Sequence, residues 1–207
     1  MKYGIKPRGM WRMFCGSFAR AAERELGVPD GKALMRAAHV DYKAILAGVE
    51  EFDPDSRFAV NIMSCAMVIS VLKQLSEKPT LEAMTVFYRS AMCDNRLMKI
   101  FLRKGNNYTE KGQEKLRSQA IASQKRNNPY DWKFTYEAGK TVNQYTATFT
   151  TCGICTLMRE YGYFEYVPAM CKLDYDMAEL GGSKFTRQYT LASGGPYCDC
   201  HYDHGAM

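Results

Sequence analysis

The chain has 207 residues, of which 46% are hydrophobic and 24% charged, the composition of a folded globular protein rather than a disordered one. That length suits one domain. A net charge of +6, from 28 basic against 22 acidic residues, is too mild and too dispersed for a nucleic-acid-binding surface, and no basic run of that density occurs. The longest apolar stretch, Phe58 to Leu72, is interrupted by Asn61 and Ser64 and falls short of the ~20 residues a bilayer requires, so no membrane span is expected.

Met1 to Arg8 carries charge with no apolar core behind it, which does not read as a signal peptide or anchor; a cytoplasmic protein with reduced thiols is expected. Trp11, Phe14, Phe18, Ala22 and Leu26 recur at helical spacing, and Gly27 with Pro29 stops that helix. Asp30 caps a second, whose face is Leu34, Ala38, Tyr42, Ile45 and Val49; His39 on its flank reads as a partly buried structural residue. A third helix, about Ser56 to Ser76, is apolar almost all round, the pattern of a buried central helix. Pro79-Thr80 opens a fourth, through about Met92, and Asp94-Asn95 separates it from a short face of Leu97, Met98, Ile100 and Phe101. After a turn at Gly105-Asn106-Asn107, Thr109-Glu110 begins a polar helix running to Asn127-Asn128-Pro129, read as a solvated face or a packing lid.

From Trp132 the period falls to two. Trp132, Phe134 and Tyr136, then Val142, Tyr145, Ala147 and Phe149, predict a β-hairpin. Cys152 to Tyr161 returns to helix, a loop runs through Pro168, and a further helix spans about Met170 to Leu180 before Gly181-Gly182. Lys184 to Leu191 and Tyr197 to His204 read as two strands around Ser193-Gly194-Gly195-Pro196. The expected architecture is a single α+β domain over 1–207: a helical layer over 1–128 packed on a small antiparallel sheet from the C-terminal hairpins. There is no heptad seam to set an oligomeric state.

Five of the eight cysteines lie from Cys152 onward. Cys152 and Cys155 share a face at a helix N-terminus, where unpaired amides favour a thiolate. Cys171 and Asp174 repeat that spacing on the next helix. On the last strand Cys198 and Cys200 face one side of the sheet, Asp199 and His201 the other. Arg187, on the partner strand, can meet Asp199 or an anionic substrate. Each has a plainer reading: cysteine as small apolar filler, Asp174 as a helix cap, Arg187 with Asp199 as a cross-strand ion pair. Zinc is the competing possibility, with Cys152, Cys155, Cys198, Cys200, His201 and His204 as donors, although a second ribbon knuckle is missing. The dinucleotide fingerprint, P-loop, HExxH and GxSxG patterns do not occur, which leaves cysteine or carboxylate chemistry on a small molecule.

The order Thr151-Cys152, Tyr161-Gly162, Cys171-Lys172-Leu173-Asp174, Arg187-x2-Thr190-Leu191, a glycine turn and Cys198-Asp199 resembles the L-2-amino-thiazoline-4-carboxylic acid hydrolase family, over about residues 145–203. Two positions depart from its pattern: Cys200 stands where a phenylalanine follows Cys-Asp, and Cys155 is an addition. The resemblance implies hydrolytic opening of a carboxylate-bearing cyclic amidine to an N-carbamoyl amino acid; no cofactor is expected, with zinc the competing possibility. On that reading Cys171 or Cys152 attacks, or Asp174 activates water; Cys198 lines the site. Arg187 holds the substrate carboxylate, and Asp199 orients Arg187 or protonates a leaving nitrogen. Tyr175, Tyr189 and Phe149 are expected as an apolar wall. The alternative is a small-molecule or metal-binding sensor domain without turnover.

Overall fold

The computed structural model describes residues 1–103 and 107–205. Helix α1 (Ile5–Glu25) buries Trp11, Phe14, Phe18 and Ala22, the stripe read from the sequence. Helix α2 (Gly31–Gly48) starts beneath Asp30, whose Oδ1 accepts the Ala33 N–H at 2.8 Å, and buries Leu34, Ala38, Tyr42 and Ile45. His39 on its flank is half-buried, stacked on Trp11 at 4.5 Å.

Helix α3 (Ala59–Leu72) is buried on every side from Ile62 to Leu72. Its two buried hydroxyls are partnered, Ser64 with the Tyr88 hydroxyl at 2.8 Å and Ser70 with the Met67 carbonyl at 2.8 Å, so polarity in the centre of the bundle carries no desolvation debt. Thr80 caps helix α4 (Leu81–Cys93). Asn95 interrupts the chain and starts helix α5 (Arg96–Arg103) by accepting the Leu97 and Met98 N–H groups. The predicted turn residues Gly105 and Asn106, and the side chain of Phe101, lie outside the described residues. Thr109 caps helix α6 (Glu110–Ser123), which is shorter than its charge pattern suggested. One face packs on the sheet through Leu116 and Ala120, with the Ser123 hydroxyl bridging to the Phe134 backbone, so α6 is a packing lid.

Strands β1 (Phe134–Ala138) and β2 (Gln144–Phe149) form the predicted hairpin. Trp132 lies outside the strand, stacked on Phe58 at 5.0 Å. Helix α7 (Gly153–Glu160) follows, and a 3₁₀ turn at Phe164–Tyr166 leads into helix α8 (Val167–Leu180). Pro168 therefore belongs to the helix and not to a loop: its fixed φ and missing N–H suit a first turn, where donors are unpaired anyway. Strand β3 (Lys184–Thr186) is only three residues long, and β4 (Cys198–Asp203) completes an antiparallel sheet in the order β1-β2-β4-β3. Between them Thr190 caps a 3₁₀ turn at Leu191–Ser193, and Gly194 leaves it at φ 80°, a conformation that favours glycine.

The architecture is α+β, 57% helical with a small sheet at the C-terminal end. The main core joins α1 to α4 with α7, α8 and the inner face of the hairpin. A second, smaller cluster of Ala178, Phe185, Cys198 and Cys200 sits under β3 and β4. Among the described residues no helix is long and apolar enough to cross a membrane.

Candidate active site

Three elements bring the predicted residues together between the two cores. Cys152 is the N-cap of α7, with extended backbone angles, and its carbonyl accepts the Thr156 N–H at 3.2 Å. Gly153 fixes where that helix begins: a Cβ there would stand 1.8 Å from the Tyr130 carbonyl oxygen, so only glycine lets the helix start lie on the 130–132 segment. Cys171 and Asp174 lie one turn apart on α8, and Cys198 and Cys200 project from β4 into the smaller core while His201 stands exposed on the opposite face.

Asp174 is the electrostatic centre of this assembly. Its charge acts on Cys152, Cys171, Cys198, Cys200, Tyr88 and Tyr202, drawn from α7, α8, β4 and α4. Its side chain keeps 43% of its surface accessible, yet removal from bulk water is the largest influence on its proton and raises its pKa, against the lowering by Arg187. Accessible surface together with strong desolvation describes a recess: walled by protein, open to water at one side.

Arg187 makes the other half of the centre. It lies just past β3, where sequence reasoning had placed it within a strand. Its Nη1 donates to Asp174 Oδ2 at 2.9 Å and its Nη2 to the Cys171 carbonyl at 3.0 Å. The guanidinium also hydrogen-bonds the Cys200 sulfur and lies over the Phe185 and Tyr175 rings at 5.2 and 5.6 Å. Only 6% of its side chain is accessible. The cross-strand pair with Asp199 does not form. Asp199 instead accepts the Gln188 N–H, at 3.1 and 3.2 Å to its two oxygens, and the Tyr189 N–H at 2.6 Å, with His201 Nε2 at 3.3 Å. Those bonds turn the chain away from β4 immediately after Arg187, which is why β3 stops so early.

The cysteines divide by environment. The Cys155 thiol, hydrogen-bonded to Cys152, and the backbone N–H groups of Cys155 and Ile154 hold Cys152 below the ordinary cysteine range despite burial. Cys155 is pushed far up by that bond and by desolvation. Burial and the Asp174 charge raise Cys171 and drive Cys200 up to about 12. Burial also raises Cys198, against the Leu191 N–H that reaches its sulfur at 3.2 Å. Of these five, Cys152 alone has its pKa lowered.

The proposed wall holds in part. Phe149 faces Cys198 in register; Tyr175 and Tyr189 are both exposed, the first meeting Phe185 edge-on at 4.8 Å and the second lying against Tyr197. Sequence reasoning missed Tyr202, Phe185, Tyr88 and Cys65. Tyr202 was available from its alternation with Cys198 and Cys200 on β4; Tyr88 and Cys65 are spaced like any core position and gave no signal. The zinc donors named from the sequence are not assembled, since His201 is on the other face of β4 and bonds Thr146 and Asp199. Among the described residues no three His, Cys, Asp or Glu side chains are grouped to hold a metal ion.

The family model of L-2-amino-thiazoline-4-carboxylic acid hydrolase matches residues 60–202, from the first turn of α3 to β4. The chain belongs to this family. The matched region takes in the buried helix α3 as well as the C-terminal motifs, and every residue around Asp174 falls inside it. No curated protein and no solved structure matches the chain. The family's name assigns it to the hydrolases; α1 and α2 lie outside the match.

Proposed function

We propose that the protein hydrolyses a small cyclic amidine, with L-2-amino-thiazoline-4-carboxylate as the reference substrate, to the N-carbamoyl amino acid. The single observation that supports this reading is the meeting of a thiolate-favouring Cys152 and a partly desolvated Asp174 in one recess. A thiolate suits attack on an amidine carbon, and a carboxylate freed from bulk water is a stronger base than one on the surface.

The reaction runs in two steps. Starting from the protonated amidine, the Cys152 sulfur bonds to the ring carbon between nitrogen and sulfur. The ring C–S bond breaks, and the departing sulfur takes the amidinium proton. Water then bonds through oxygen to that carbon, giving one proton to Asp174 and the other to the imine nitrogen, and Cys152 departs as thiolate. The products are the N-carbamoyl group and a free thiol; no nitrogen is expelled, so Asp199 has none to protonate. Arg187 acts as a positioning residue, because its donors are engaged with Asp174, the Cys171 carbonyl and Cys200, and Asp199 fixes the backbone that carries it. Cys171 and Cys198 line the recess.

The test is turnover of L-2-amino-thiazoline-4-carboxylate by the purified protein, followed by chromatography of the N-carbamoyl product. Loss of product with Cys152→Ser and with Asp174→Asn, in variants that keep the wild-type melting temperature, supports the assignment. Undiminished product from either removes that residue's role, and an inactive wild-type protein removes the substrate.

A further inference from the structure

Two cysteines separated by two residues at a helix start form a pair of unlike thiols, and here the unlikeness is pronounced. Cys152 occupies the N-cap of α7 and is half-buried at the recess; Cys155, one turn on, is 4% accessible and packs into the main core. Positions three apart at a helix start are neighbours on one face, and each of the two thiols acts on the other's proton. The residue between them that faces the 130–132 segment is Gly153, whose missing side chain lets the helix start lie directly against that backbone. The other close pair lacks these properties. Cys198 and Cys200 are two residues apart on a strand, roughly 6.5 Å between Cα atoms, at the far end of what a disulfide spans. Neither sits at a helix terminus.

We propose that Cys152 and Cys155 are a redox-active dithiol that reduces low-molecular-weight disulfides, Cys152 attacking and Cys155 resolving. In the first step the Cys152 sulfur bonds to one sulfur of the small disulfide. The small disulfide's S–S bond breaks, one thiol departs and a mixed disulfide is left on Cys152. In the second, the Cys155 sulfur bonds to that of Cys152 and its proton passes to the sulfur of the small thiol that is expelled. The protein dithiol loses two electrons and the small disulfide gains them. The order of events follows from the environment. The largest influence holding the proton on Cys155 is its bond to the Cys152 sulfur, and this influence disappears when that sulfur is capped in the mixed disulfide. Cys152 keeps part of its surface accessible and lies within reach of the Asp174 charge.

This activity needs no ring opening, and its assay reads masses rather than turnover, so its failure and failure of the hydrolase reading are separately visible. The full-length reduced protein is mixed with oxidised glutathione, quenched with acid, alkylated and mapped by mass spectrometry. The expected result is a wild-type protein lighter by two hydrogens, with Cys152 joined to Cys155, no retained glutathione, and two thiols released per chain. Cys155→Ser and Cys155→Ala should each retain one glutathione on Cys152, and Cys152→Ser should retain none on Cys155. A wild-type protein that stays fully reduced overturns the proposal. So does stable glutathione on Cys152 with Cys155 free, or a disulfide from Cys152 to Cys171 or Cys198. The wild-type map decides even where a variant fails to fold.

Discussion

The recess around Asp174 and the bend around Asp199 lie on either side of Arg187, and the two carboxylates in them behave oppositely. Asp199 is mostly buried but surrounded by donors: the Gln188 and Tyr189 N–H groups and His201 satisfy it, and these bonds outweigh burial to hold its pKa below the ordinary value. Asp174 has Arg187 on one oxygen, an open side toward water and a set of thiols and tyrosines around it, and its pKa is raised. Burial alone does not make a carboxylate reactive. What separates a structural staple from a candidate base is how many donors the fold commits to it.

The largest expected effect comes from removing the reactive member of the pair. Asp174→Asn keeps the shape and loses the base, so turnover of L-2-amino-thiazoline-4-carboxylate should fall by about a hundredfold or more. The same change removes a negative charge that raises Cys152, so the pH at which iodoacetamide labels Cys152 should move lower while turnover falls. Labelling that moves upward would break the electrostatic account. Next in size is Arg187→Met, which leaves Asp174 without its partner. A fully buried broken pair costs about 3–5 kcal/mol, but Asp174 stays in contact with water, so about 1–2 kcal/mol by denaturant titration is expected. With the lowering influence of the guanidinium gone, the acidic limb of the rate profile should shift to higher pH. A purely packing role for Arg187 predicts the stability loss with an unmoved profile.

Before labelling reaches Cys171, Cys198 or Cys200 it should reach Cys152, since three of these thiols are raised and one is lowered. At mildly acidic pH a single fast-reacting cysteine is expected. Uniformly slow labelling would return Cys152 to the same class as the buried Cys65, whose thiol burial pushes well up on α3.

Much of this was legible before any coordinates. The helical stripes, the caps at Asp30, Thr80 and Thr109, and the all-round apolar α3 follow from local pattern and chemistry, and the structure keeps them. Period two on β4 put Cys198 and Cys200 on one face and His201 on the other, and it held. The partner of Arg187 was not legible. Asp199 or an anionic substrate was the expected partner and Asp174 was not, because the choice depends on where β3 ends, and β3 ends where Asp199 accepts the backbone N–H groups of residues 188 and 189. No periodicity encodes a bond of that kind. Tyr88 joins the site through packing of α4 on α8, a contact between distant segments that leaves no trace in either one's spacing.

The smallest effect tests the staple. Asp199 has a depressed folded pKa, so the stability it contributes is fully present above the ordinary carboxylate value and is lost as pH falls through the folded value. Asp174, raised, has the opposite sign: its contribution is greatest in acid and is lost as pH rises through its folded pKa. Asp199→Ala should cost about 1–2 kcal/mol at neutral pH, since charge-assisted bonds to two backbone donors disappear. It should also flatten the loss of melting temperature between neutral pH and about pH 3, the window set by an ordinary carboxylate. Because Gln188 and Tyr189 follow Arg187 directly, freeing their N–H groups should loosen the guanidinium and lower turnover while Cys152 labelling keeps its pH. An Asp199→Ala protein with wild-type acid sensitivity would mean that another carboxylate carries the low-pH limb, and the contrast between the two sides of Arg187 would lose its thermodynamic half.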